Sequence, residues 1–175
     1  MSAPKRPPAV RRRAPATPHS ARNQPRLPLW SRPGYLIRRL NQIHYALFFE
    51  ECQEFNVTPV QYGLLTALLI RGKLDQVSLA EELGIDRTNV AEVLKRLSAR
   101  GLVRREPNPA DRRARLASLT AKGRKLTGSM HGPMQRAQDR FLAPLSQMER
   151  DAFMATLVHL IEANNMYGRA MMRTD

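Results

Sequence analysis

Large apolar side chains recur at helical spacing only from Pro33 onward. Leu36, Leu40, Ile43, Leu47 and Phe48 are separated by Arg38, Arg39, Gln42, Glu50 and Glu51, which predicts a long first helix ending near Phe55-Asn56. A second helix is expected to open at Thr58, with Pro59 in the first helical position and Gln61 placed to complete a capping box. Tyr62, Leu65, Leu68 and Leu69 would form its buried face, and Gly72 its end. Ser78-Leu-Ala-Glu81 reads as a further capping box that starts a short third helix, stopped by Gly84. Asp86 then caps a fourth helix, predicted to run to about Arg100, with Val90, Val93, Leu94 and Leu97 on its inner side.

Beyond Gly101 the period changes. Residues 102–106 and 115–119 alternate roughly two by two around Pro107-Asn-Pro-Ala-Asp-Arg-Arg113, predicting two strands joined by a basic, proline-stiffened loop. Thr120 heads a fifth helix with Leu126, Met130, Met134, Ala137 and Phe141 along one face and a disturbance expected at Pro133. Ser146-Gln-Met-Glu149 caps a last helix whose apolar side is Phe153, Leu157, Leu160 and Ile161. Two helices about a tight glycine turn, followed by a hairpin, make a winged helix-turn-helix domain over 58–120. The fold class is therefore mainly α with a small β wing. The terminal helices, 31–56 and 121–172, carry more apolar positions than a small winged domain needs to cover itself, and are expected to form a dimerisation region.

Charge sharpens this picture. The net charge is +14, and it is concentrated. Residues 1–32 hold eight Lys/Arg and no acid, and residues 84–125 hold twelve Lys/Arg against four acids. The remainder is slightly acidic, so the chain reads as a body with one nucleic-acid face rather than a uniformly basic globule. Eight of the thirteen prolines lie at or before Pro33. Few large apolar side chains accompany them, so 1–30 are expected to form a disordered basic tail ahead of a single domain over 31–175. Such a tail would either strengthen DNA binding without regard to sequence or be a solvated leader. The single cysteine, Cys52, leaves no internal disulfide, and no apolar run is long enough to span a bilayer. A cytoplasmic protein with no membrane partner is expected.

The outer face of the fourth helix carries the candidate chemistry: Arg87, Thr88, Asn89, Glu92, Lys95 and Arg96. A helix fits the major groove of double-stranded DNA with its N-terminal residues at the base edges. Arg87 suits guanine, Asn89 suits adenine, and Thr88 suits a phosphate or a thymine methyl. Lys95 and Arg96 would sit nearer the phosphates. Ser78 would offer a hydroxyl and a helix N-terminus to a backbone phosphate. Arg112 and Arg113 at the loop tip suit the minor groove, while Asp111 is expected to shape the wing by pairing with Arg113 or Arg115. An ordinary solvated face is the alternative for any one helix. The order of capped short helix, glycine turn, polar-faced helix and basic hairpin argues against it.

Three stretches resemble the MarR family of winged helix-turn-helix regulators. They are Leu83-Gly-Ile-Asp-Arg-Thr-Asn-Val, Leu97-Ser-Ala-Arg-Gly-Leu-Val-Arg-Arg, and Asp111-Arg-Arg-Ala-Arg-Leu-Ala-Ser-Leu-Thr-Ala-Lys-Gly123. The resemblance covers about residues 33–170. It implies a homodimer joined by the terminal helices, reading a palindromic operator as a repressor. Arg87, Thr88 and Asn89 match the reading positions, and Arg112 and Arg113 the wing tip. It also implies a small-molecule pocket between the first two helices and the wing domain. Arg38, His44, Tyr45, Phe48, Tyr62 and Leu65 are the candidates to line it; aromatic walls with a few polar groups suit an aromatic acid or its CoA thioester. Plain core is the alternative for these aromatics. Pro33-Gly-Tyr-Leu-Ile-Arg-Arg and Thr58-Pro-Val-Gln-Tyr further resemble members tied to the breakdown of aromatic compounds.

Nothing points to catalysis. No phosphate loop, nucleophile motif or carboxylate pair is present, and His44, Cys52, His131 and His159 lack metal-ligand spacing. No cofactor is expected. Cys52 lies among Glu50, Glu51 and Glu54, which would blunt a thiolate, so an inert thiol is expected rather than a redox switch. The competing function class is an architectural or adaptor protein that binds DNA without an effector. Release from an operator by a ligand separates the two.

Overall fold

A computed structural model of the chain describes residues 28–111, 114–168 and 170–172. The tail expected over 1–30 lies almost wholly outside the described residues. The chain divides into two compact units, the first closing at Leu36. In that first unit a 3-10 turn, Pro28–Ser31, is closed by the Ser31 hydroxyl donating to the Pro28 carbonyl at 2.6 Å. The Trp30 and Tyr35 rings meet edge to face at 6.2 Å. The helix α1, Pro33–Cys52, begins here and continues into the second unit.

The second unit holds α2 (Pro59–Arg71), α3 (Gln76–Leu83), α4 (Arg87–Ala99), β1 (Val103–Pro107), β2 (Arg115–Leu119), α5 (Ala121–Leu142) and α6 (Gln147–Asn164). The strands pair antiparallel, with Val103 opposite Leu119 and Arg105 opposite Ala117. Leu74 adds a one-residue bridge to Ala117 on the far side of β2. The core is built where the inner faces of α2, α3 and α4 meet β1, β2 and α5. Phe48, Leu64, Leu65, Leu79, Val90, Leu97 and Met130 are all fully buried there. None of the α6 residues is buried within one chain, and Met154, Val158, Leu160 and Ile161 are exposed. No helix among the described residues is long and apolar enough to cross a membrane.

Thr58 and Gln61 form the expected capping box on α2, and Ser146 and Glu149 that on α6. Three expectations need correction. The cap of α3 is Asp75, not Ser78: the Asp75 carboxylate accepts from the Ser78 backbone N–H at 2.8 Å, placing Ser78 inside the helix. A carboxylate three residues upstream satisfies the same orphan N–H groups. Leu69 is exposed, because α2 turns that face away from the core it shares with Leu65 and Leu68. Pro133 does not interrupt α5, which runs unbroken through it. The carbonyl that Pro133 leaves without an N–H belongs to Ser129, an exposed residue that solvent can reach.

Candidate nucleic-acid interface

The helix-turn-helix is set by two carboxylate caps and one glycine. Gly84 ends α3 at φ 62°, a left-handed conformation that lets the chain reverse within Gly84-Ile85 before α4 begins. Asp86 caps α4 through its Oδ1, which accepts from the Asn89 backbone N–H at 2.8 Å. The Gln76 side chain donates from Nε2 to the Arg87 carbonyl at 2.8 Å, pinning the start of α4 to the start of α3. Arg87, Thr88 and Asn89 are consequently presented on a held N-terminus, all three exposed. Lys95 and Arg96 are exposed further along the same helix. Ser78 is half-buried.

Asn89 has a second bond that sequence reasoning did not anticipate. Its Nδ2 donates to Asp86 Oδ2 at 2.6 Å. In the free protein its amide N–H is already engaged, although its carbonyl oxygen is not part of that bond.

The wing loop begins with an Asn turn, in which Asn108 Oδ1 accepts from the Ala110 N–H at 3.0 Å. The Asn108 N–H donates to the Ala114 carbonyl, and the Ala114 N–H to the Asp111 carbonyl. Arg112 and Arg113 lie outside the described residues. Strand alternation puts Arg105 and Arg115 on one sheet face and Arg104, Glu106 and Ser118 on the other. The first face meets the helix-turn-helix: Arg87, Arg105, Asp111 and Arg115 line one groove together with Asp75 and Gln76. The start of α4 and the wing thus share a cationic groove edged by two carboxylates.

Three features hold this head to the rest of the unit. The Arg100 guanidinium donates to the Asn56 and Phe55 carbonyls, tying the end of α4 to the turn between α1 and α2. Thr120 caps α5, and its hydroxyl also donates to the Gly101 carbonyl at 2.7 Å. Gly123 lets α5 lie directly against the chain entering β1: a Cβ there would stand 2.1 Å from the Leu102 carbonyl oxygen. The Leu-Thr-x-x-Gly motif is therefore a joint between wing and helix. Thr120 was expected from sequence as a cap; the Arg100 bonds and the Gly123 approach are long-range and were not.

The chain is 34% identical over 127 residues to the transcriptional regulator HosA of Escherichia coli O111:H-, spanning 73% of this chain and 93% of that one. It belongs to the MarR family. The MarR family model itself matches residues 55–114, the helix-turn-helix and wing. Among solved structures, the PcaV transcriptional regulator of Streptomyces coelicolor in complex with its natural ligand is 35% identical. It aligns with a TM-score of 0.74 over 80% of this chain and 99% of that one. A structure of Bordetella bronchiseptica BpsR, described by the mechanism through which 6-hydroxynicotinic acid regulates its DNA binding, aligns at TM-score 0.69. It is 32% identical over 73% of this chain and 96% of that one. This MarR-family chain is a winged helix-turn-helix, DNA-binding transcriptional regulator.

Among the described residues, those expected to hold an effector sit in different surroundings. His44 lines a 210 Å³ apolar cavity between α1, α5 and α6, beside Leu40, Phe141, Phe153 and Leu157. Its ring meets Phe141 edge to face at 6.0 Å. Phe48 and Leu65 are fully buried in the core, as plain packing would have them. Tyr62 is half-buried against Phe48, and Tyr45 is half-buried beside His44 and Phe49. Arg38 is exposed on α1. Cys52 is buried, and desolvation, then the neighbouring Glu51 charge, push its thiol up.

Proposed function

We propose that this regulator is a homodimeric repressor that reads a palindromic operator and leaves it when a small aromatic acid, or its CoA thioester, binds. The observation that carries the reading is the exposed Arg87-Thr88-Asn89 turn at a doubly pinned helix N-terminus, with Arg87 in one groove with the wing arginines Arg105 and Arg115. Arg87 and Asn89 would read bases, and Thr88, Ser78, Lys95 and Arg96 would meet the backbone. Arg112 and Arg113 would enter the minor groove, with Asp111 and Arg115 shaping the loop. The exposed apolar side of α6 and the cavity it shares with α1 supply the dimerisation surface, within the region 31–56 and 121–172. A twofold axis there sets two reading helices roughly 34 Å apart, or a multiple of it. The tail over 1–30 adds affinity without regard to sequence.

Support for an aromatic acid comes from the His44 cavity, with Phe141 and Phe153 on its walls, and from BpsR, whose DNA binding 6-hydroxynicotinic acid regulates. Arg38, Tyr45 and Tyr62 would complete such a site in the dimer, with Phe48 and Leu65 packed behind it. The protein acts by binding in the cytoplasm, without catalysis or cofactor. The test is a thermal-shift screen of aromatic acids and their CoA esters, followed by operator-release assays and footprints on each hit. An effector that releases a twofold-symmetric footprint is the expected result. A monomer at micromolar concentration that protects a single half-site would overturn the model.

A further inference from the structure

A second cavity lies on the sheet face that turns away from the reading groove. It measures 200 Å³ and sits between the end of α2, the two strands and the start of α5. Leu68, Leu69, Lys73, Arg104, Ser118 and Arg124 line it, with the end of β2 at Leu119; of the leucines, Leu69 is exposed and the other two are buried. Lys73 is paired with Glu106, whose carboxyl that bond holds below its ordinary range. The two arginines are held differently. Arg104 Nε donates to the Ser118 hydroxyl at 3.0 Å, and Arg124 Nη1 donates to the Leu119 carbonyl at 3.0 Å. Both partners are neutral, so neither bond cancels a charge; Arg104 also feels the Glu106 carboxylate that Lys73 holds, and each guanidinium has further N–H groups beyond the one used.

DNA reading does not account for these arginines. Arg105, the next residue along β1, faces the groove of Arg87, whereas Arg104 is on the opposite side of the pleat. Two cations that line one cavity repel each other, and an anion between them removes that cost. The exposed Leu69 beside them favours an anion with an apolar body, since a bare inorganic ion would leave that side chain in contact with water.

We propose that this cavity binds a small organic carboxylate, its carboxylate bridging Arg104 and Arg124 and its apolar body on Leu69. The site is separate from the His44 cavity and from the effector reading above. Occupancy would tie α2, the wing strands and α5 together, so it bears on the wing without touching DNA.

The experiment is amide chemical-shift mapping of the full chain, titrated with sodium benzoate and, at equal ionic strength, with inorganic phosphate. Saturable benzoate shifts at Leu69, Gly72, Ser118 and Leu119 are expected, retained in His44→Ala. In Arg104→Gln/Arg124→Gln, benzoate affinity at these amides should fall about tenfold or more, as loss of two charge-assisted hydrogen bonds requires. Should that double variant lose its folded spectrum, Arg104→Lys, which keeps the charge and loses the planar fork, should weaken benzoate in the same direction. Absence of shifts at these amides at millimolar benzoate would overturn the site, as would undiminished shifts in the variants. Equal affinity for phosphate would overturn the apolar half of the argument. Shifts confined to the surroundings of His44 would overturn this site while leaving the repressor reading intact.

Discussion

Replacing Gly123 with Ala tests whether the wing-to-helix joint is as tight as its geometry indicates. The added methyl would stand 2.1 Å from the Leu102 oxygen and 3.0 Å from the Leu102 carbonyl carbon, both backbone atoms that no rotamer change can move. Carbon contacts settle near 3.5 Å, so α5 and the entry to β1 must separate by more than about 1 Å. The Leu102 oxygen already accepts from the Thr120 N–H at 3.0 Å, and the Thr120 hydroxyl accepts from the Gly123 N–H at 3.0 Å. Separation therefore strains the joint and the cap together. Overpacking costs about 1–3 kcal/mol and a weakened cap about 1 kcal/mol, against a helix-propensity gain of about 1 kcal/mol for Gly to Ala.

The net expectation is a destabilisation of about 1–3 kcal/mol. In urea, with a slope near 2 kcal/mol per molar, the midpoint should fall by about 0.5–1.5 M. Protein concentration must be held constant, because an associating chain gains apparent stability by mass action. Gly128 provides the internal control. It lies in the same helix, is exposed, and a Cβ there would meet nothing within 4 Å. Gly128→Ala should raise stability by about 0.5–1 kcal/mol. A Gly123→Ala protein as stable as its parent, alongside a stabilised Gly128→Ala, would show that the close approach is not what demands glycine.

Arg87→Ala and Asn89→Ala should each cost about 1–3 kcal/mol on the best operator and relax preference at particular base pairs; selected sites identical to the parent's would remove both from base reading. Arg112→Ala with Arg113→Ala should weaken binding to all DNA and lower the salt slope by about one for each phosphate no longer neutralised, which a salt titration of binding checks. The Glu51 carboxyl is held below its ordinary range by Arg136 and then Arg140, with bonds at 2.8 and 2.7 Å. A lowered folded value means that its stabilisation is present at neutral pH and is lost as pH falls through that value. Glu51→Gln should therefore flatten the acid limb of the urea midpoint against pH; an acid limb parallel to the parent's would refute the pairing.

What was legible in the sequence was local. Thr58 with Gln61, Asp86 before α4 and Ser146 with Glu149 bond within three residues of themselves, so a short window reveals them. The buried stripes of α4 and α5 follow from 3.6-residue periodicity, and most of the residues named there are at least half-buried. Competition between equally good signals caused the miss at α3, where Asp75 and Ser78 are both cap residues and three positions apart. Leu69 was misplaced because α2 is apolar almost all round, so its periodicity does not select a face. The joints that position the reading head were illegible for a different reason. Arg100 reaches carbonyls more than 40 residues away, and Leu74 bridges Ala117; backbone acceptors carry no residue-type signature.

The bond between Asn89 and Asp86 bears on how such a head would discriminate. The Asp86 carboxylate meets Asn89 with separate oxygens: Oδ1 caps its backbone N–H, and Oδ2 holds its side-chain amide. Releasing the side chain thus leaves the cap in place, and α4 keeps its start. Release costs about 1 kcal/mol, since the group is exposed and water replaces the carboxylate. A bidentate contact with adenine is worth about 1–3 kcal/mol of discrimination, enough to offset that cost. A base offering Asn89 a single bond gains too little to draw it from Asp86. If Asn89 reads adenine as proposed, the internal bond takes a fixed amount from every base and leaves a net gain only for the one that satisfies both amide atoms. Asp86→Ser separates these roles, because serine keeps a capping oxygen and has none for Asn89. The variant should hold its stability within about 1 kcal/mol and bind mismatched operators more tightly relative to the best one. Unaltered preference at the Asn89 base pair, with α4 intact, would show that the bond is structural alone.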